Sequence, residues 1–152
     1  MPLVGINLIK EFEGCHLNAY PDPLTKGPPI TIGWGSTRDF DGTPFKIGRV
    51  ITQKYADTLL EFDLKNRFLP SLQRIPYWNE MNENQQGALL SFAYNLGAGF
   101  YGSSNFNTIT RVLKEKKWED VPEKLLLYRN PGSSVEKGLL RRRIAEGELW
   151  VS

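Results

Sequence analysis

Glu13, Asp22 and Thr31 are the residues whose types and spacing point to chemistry. Glu13 falls at the C-terminal end of an apolar helical run, directly before Gly14. The negative end of a helix dipole and partial burial both disfavour a carboxylate anion, so the expected setting is one that holds a proton. A glutamic acid so placed suits general acid catalysis, and the plain alternative is a solvated residue at a helix end. Asp22 sits in Tyr20-Pro21-Asp22-Pro23. There it either closes a turn with its own backbone or contributes a second carboxylate. Thr31 lies in Ile30-Thr31-Ile32-Gly33-Trp34-Gly35, which alternates as a half-buried strand does. Ile30, Ile32 and Trp34 share one face of that strand. Thr31, Gly33 and Gly35 share the other, which carries little side-chain bulk and is expected to admit a large ligand.

Composition narrows the chemistry further. The chain has 152 residues, with eight Phe, six Tyr and four Trp, enough apolar bulk for one folded domain. One His and one Cys supply neither an ordinary zinc site nor an internal disulfide, so no metal and no cofactor are expected. The net charge of +2 argues against a strongly electrostatic nucleic-acid binder. The first ten residues lack a basic leader and a long apolar run. The expectation is therefore synthesis in a cytoplasm with no stable membrane insertion.

The elements that would position the three residues follow from periodicity. Leu3, Val4, Ile6, Leu8, Ile9 and Phe12 give a first helix over 3–12 that Gly14 ends. Residues 14–51 concentrate Gly and Pro and read as a small β-containing lobe, with an Asp41-Gly42 turn leading back through Phe45 and Ile47. Thr52 caps a connecting helix to about residue 68, and Pro70 marks its end. Asn82 and Gln85 resemble a capping box for a helix that stops at Gly97. Helical stretches follow over about 105–117, 120–129 and, after Asn130-Pro131-Gly132, 135–150.

Taken together, Glu13-Gly14, Ala19-Tyr20-Pro21-Asp22 and Thr31-Ile32-Gly33-Trp34-Gly35 resemble the signature of phage-type lysozymes, family 24 of the glycoside hydrolases. Three later stretches agree: the helix from Ile51 to Asp63, Asn82 to Gly97, and Gly138 to Trp150. The resemblance implies an α+β, lysozyme-like fold. A β-containing lobe (14–51) and a helical lobe (71–152 with 1–13) would be joined by a helix (52–70), with a cleft between the lobes. It implies hydrolysis of the β-1,4 bond between N-acetylmuramic acid and N-acetylglucosamine in bacterial peptidoglycan, with inversion. Glu13 would protonate the leaving oxygen, and Asp22 and Thr31 would hold the attacking water. Tyr94 and Asn95 lie where relatives line the groove and are carried as substrate contacts. Trp34, by its alternation with Ile30 and Ile32, reads as core.

Two departures from the family pattern stand out. Eight residues separate Asp22 from Thr31 where five are usual, and Ser36 stands where many members carry a histidine. Of Arg141, Arg142 and Arg143, either Arg142 or Arg143 is expected to turn back to the carboxylates; three consecutive helical residues cannot form one basic stripe for nucleic acid. The partner implied is cell-wall peptidoglycan, approached by a monomer released from a host cytoplasm through a separate membrane lesion. Two rivals stand beside this reading. A lytic transglycosylase would leave 1,6-anhydro ends, and a non-catalytic relative would bind peptidoglycan only.

Overall fold

A computed structural model describes residues 1–23 and 25–152. Helix α1 (Leu3–Glu13) leads into strand β1 (His16–Tyr20), which pairs antiparallel with β2 (Thr31–Gly33). Helix α2 (Gln53–Asp63) continues through a wider π-helical stretch (Leu64–Phe68) into the short helix α3 (Leu69–Leu72). Helix α4 (Glu83–Leu96) forms the centre of the larger lobe, followed by α5 (Asn107–Lys114), α6 (Val121–Leu125) and α7 (Glu136–Val151). Among the described residues no helix is long and apolar enough to cross a membrane.

Two apolar clusters define the lobes. The larger gathers Ile6 and Ile9 of α1, Leu60 and Leu64, Leu89, Phe92 and Ala93 of α4, Ile109, Leu125 and Trp150. The smaller packs Ile32, Phe45 and Ile51 against Ala56 and Leu59 of α2. Helix α2 thus has one face in each core, and the connecting helix is held from both sides. Thr52 caps it by accepting a hydrogen bond from the Tyr55 N–H. The Asn82–Gln85 capping box is complete in both directions.

Four expectations about local structure need correction. Pro70 does not end the connecting helix. It sits in the first turn of α3, where its missing N–H costs little, and the π-helical stretch before it absorbs the change of pitch. The strand does not run to Gly35. Gly33 adopts φ 66°, alternation ends there, and a tight turn brings Ser36 back to pair with Ile32. The return through Phe45, expected as a small hairpin or sheet, is one isolated antiparallel bridge between Arg38 and Pro44. The expected helix over 120–129 is only Val121–Leu125, preceded by a single turn.

Candidate active site

Gly14 sets the first element of the site. Its φ of 69° lies in the left-handed region that favours glycine, and its N–H donates to the Lys10 carbonyl. The chain therefore leaves α1 sharply into β1, and Glu13 is left at the cleft with 23% of its side chain exposed. Arg142 Nη1 donates to Glu13 Oε2 at 3.0 Å. Gly35 faces the same place. A Cβ there would lie 3.6 Å from the Glu13 carboxyl carbon and 3.3 Å from the Tyr94 hydroxyl. The expectation of one open glycine face is therefore half right. Gly35 borders Glu13, but Gly33 lies beneath Ala56 of α2, where a Cβ would come within 3.3 Å.

Two cavities flank this point. One, of about 560 Å³, opens between Ser36–Arg38 of the small lobe and Asp63, Phe68 and Tyr94. The other, of about 490 Å³, runs past Glu11–Glu13 to Gly138 and Arg141. Asn95 lines both, and its buried Oδ1 has no hydrogen-bond partner among the described residues. Tyr94 lines the first and donates its hydroxyl hydrogen to the Trp34 carbonyl at 3.0 Å. Burial, then the Glu13 charge, pushes the Tyr94 phenol well above its usual range, and the same two causes raise Tyr20. Trp34 belongs to the packing, as expected: its indole N–H donates to Asp57 at 2.7 Å.

Asp22 and Thr31 form a second group, brought together by strand register. Thr31 is the cross-strand partner of Tyr20, and Asp22 follows Tyr20 by two residues. Both therefore sit at the same end of the two-stranded sheet. Asp22 also closes the following loop. Its Oδ1 accepts from the Thr25 N–H at 3.1 Å, and its backbone N–H donates to the Gly27 carbonyl. The turn-closing role weighed from sequence is thus present. The inserted loop between the two residues is exposed at Pro23, Thr25, Lys26, Pro28 and Pro29; Leu24 lies outside the described residues. Thr31 Oγ1 donates to the Pro29 carbonyl at 3.3 Å, which leaves its lone pairs available as acceptors.

Sequence reasoning missed the supports behind these groups. Ser36 is buried and donates to Asp63 Oδ2 at 2.7 Å. Arg67 donates to Asp63 Oδ1 at 2.6 Å and to the carbonyls of Arg38 and Asp39, which ties the small lobe to the connecting helix. Burial pushes the Asp63 carboxyl up despite these partners. On α7, Arg142 is the arginine that reaches Glu13, Arg143 turns into the core, and Arg141 is exposed on the cleft. Glu146 and Ser91, both fully buried, complete that cluster. A Glu placed three and four residues after two Arg was the available signal.

Two lobes on a shared helix, with a helix-end glutamate in the cleft between them, define a lysozyme-like α+β protein. Solved structures agree. An endolysin from Escherichia coli O157:H7 phage FAHEc1 superposes with a TM-score of 0.79 at 27% identity, covering 98% of this chain and 91% of that one. A variant of P22 lysozyme superposes with a TM-score of 0.72 at 32% identity, covering 97% and 95%. The phage lysozyme family model matches residues 10–146, and the chain belongs to that family. Among its relatives, the endolysin of Lactococcus phage c2 is 38% identical over 148 residues, covering 96% of this chain. The chain spans only 58% of that relative's length. The endolysin of Salmonella phage P22 is 35% identical over 150 residues, covering 97% of this chain and 95% of that protein.

Proposed function

We propose that this protein is a muramidase of the endolysin type, hydrolysing the β-1,4 bond between N-acetylmuramic acid and N-acetylglucosamine in peptidoglycan with inversion. The observation that carries this reading is the placement of Glu13 in a cleft flanked by two cavities, with Arg142 3.0 Å from its carboxylate. Glu13 gives its proton to the glycosidic oxygen as the bond to the anomeric carbon breaks. Negative charge then develops on Glu13, and Arg142 stabilises it. A water on the opposite face of the sugar attacks the anomeric carbon, oriented by Thr31, and passes a proton to Asp22. The shared end of the sheet supports pairing Asp22 with Thr31 in this role. Tyr94 and Asn95 contact the glycan where the two cavities meet.

The chemistry is proton transfer and water attack, so the protein's own groups suffice. The substrate is cell-wall peptidoglycan and the acting species a monomer. The protein reaches the wall from the host cytoplasm once a separate lesion opens the membrane, and its role is host cell lysis.

Product analysis tests the reaction. Digests of purified peptidoglycan should contain reducing-end products one water heavier than 1,6-anhydro products. Proton NMR of the first product should show the α-anomer. Anhydro ends would instead indicate a lytic transglycosylase, and an initial β-anomer would indicate a covalent intermediate on Asp22.

A further inference from the structure

Next to Glu13 on α7 lies a cluster of buried charge, whose Arg142 borders the same cavity as Glu13. Arg143 and Glu146 are fully buried, and Arg142 nearly so. Arg142 is held on three sides. Its Nη1 donates to Glu13, its Nη2 to the Ser91 carbonyl at 3.1 Å, and its Nε to Ser91 Oγ at 3.3 Å. Ser91 Oγ in turn donates to Glu146 Oε2 at 2.7 Å. Glu146 also accepts from Arg143 Nε at 2.6 Å and Nη2 at 2.9 Å, and lies 3.5 Å from Arg142 Nε.

We propose that Glu146, acting with Ser91, is a positioning residue for the catalytic proton: it fixes Arg142 against Glu13 and cancels the positive charge of Arg143. The inference rests on the reading of Glu13 as the general acid. Burial pushes the Glu146 carboxyl up, opposed by the Arg143 and Arg142 guanidiniums and the Ser91 hydroxyl that surround it. With Glu146 ionised by these contacts, two guanidiniums and one carboxylate leave a single net positive charge beside Glu13. That charge stabilises the carboxylate formed when the proton leaves. A second uncancelled cation would strip the proton from Glu13 before substrate arrives, because a nearby positive charge favours the anion. The other ionisable groups near Glu13 come from α4 and β1, from α1 itself and from the loop after β1, where Asp22 lies. His16 of β1 packs on Tyr20 and comes within 3.9 Å of the Cβ position of Gly14. Tyr94 of α4 and Tyr20 of β1 are both raised above their usual value of 10.0 and so are neutral through the working range. Glu11 lies on the exposed rim of the same cavity. Of these charges, the α7 guanidinium of Arg142 is the one bonded directly to Glu13, and the four variants hold His16 and Asp22 constant. The Ser91 hydroxyl makes the arrangement directional: its one hydrogen goes to Glu146, which leaves its lone pairs to receive Arg142.

A network serving only the fold would give the same contacts, so the test reads protonation. The pH dependence of kcat/KM and kcat is measured by reducing-end release from peptidoglycan for wild type, Glu146→Gln, Arg143→Met and the double variant. Glu146→Gln leaves two uncancelled cations and should move the alkaline limb down by about one pH unit, with KM little changed. Arg143→Met removes one cation and should move it up. The double variant restores the original charge and should restore the original limb. Should Glu146→Gln fail to fold, Arg143→Met and the double variant decide, since neither adds an uncancelled charge. Single-variant limbs that coincide with wild type, or a pH-independent loss that the double variant does not recover, would overturn the inference. Glu13→Gln is run alongside. If it is inactive at every pH while the limbs stay fixed, only the role of Glu146 fails; if it is active, the reading of Glu13 itself fails.

Discussion

Ser36, Asp63 and Arg67 show what a single residue type can hide. The place of Glu13 at the end of α1 was legible because Gly14 follows it and an apolar helix precedes it, both local features; its role as the acid came from the resemblance to phage-type lysozymes. Asp63 was not, because its partner Ser36 lies 27 residues away and only the folded chain brings them together. Tyr94 and Asn95, carried from the family resemblance, both line a cavity beside Glu13; nothing in the sequence pointed to the buried Asn95 Oδ1, which has no hydrogen-bond partner among the described residues. Asp63 also carries a prediction about pH. Burial raises its carboxyl above the ordinary aspartate value of 3.8, so the folded state binds its proton more tightly than the unfolded state. Its contribution to stability is full below 3.8 and is lost as pH rises through the folded value. Urea unfolding of wild type and Asp63→Asn should show wild type losing stability relative to the variant across that rise. A difference that stays constant with pH would mean that Asp63 ionises alike in both states.

At the scale of elements, the crossing of α1 and α4 decides where Glu13 sits. Gly5 and Gly87 meet there, and a Cβ on Gly5 would lie 2.8 Å from the Gly87 Cα and carbonyl oxygen. Backbone cannot retreat as a flexible side chain can. Gly5→Ala should therefore destabilise the fold by about 1–3 kcal/mol, and it should lower turnover by tilting the helix that ends at Glu13. Equilibrium unfolding with an unchanged m-value checks the first, and kcat on peptidoglycan the second. A variant as stable and active as wild type would show that the crossing has slack. Elements with local signals were readable, such as the Asn82–Gln85 box and the stop at Gly97. Strand 30–35 was misread because alternation continues in the sequence after Gly33 turns the backbone, and a positive φ leaves no trace in a hydrophobic pattern. β1 was not foreseen: His16 to Tyr20 pairs with β2 only at its two ends, with an irregularity between, and its residues carry no clean period.

At the scale of the molecule, the two-lobed plan was legible from the shift between a Gly- and Pro-rich segment and its helical flanks, and from the motifs shared with phage lysozymes. What could not be read was the means by which the lobes are tied. Arg67 reaches carbonyls of the small lobe, a long side chain whose helix sequence gives no direction for it. Arg142 was one of two arginines expected to turn back to the carboxylates, and it does so within the helical lobe, from the last helix to the first. Glu13 lies in the cleft beside both cavities, and in the proposed reaction it gives up a proton there. The most direct measurement is the rate of reducing-end release from purified peptidoglycan by Glu13→Gln, with folding checked by circular dichroism and thermal unfolding. Glutamine keeps the size and can still accept from Arg142, but it has no acidic proton. Turnover should fall by about 10²–10⁴-fold with the fold intact. A folded variant retaining more than roughly a tenth of wild-type turnover would contradict general acid catalysis by Glu13.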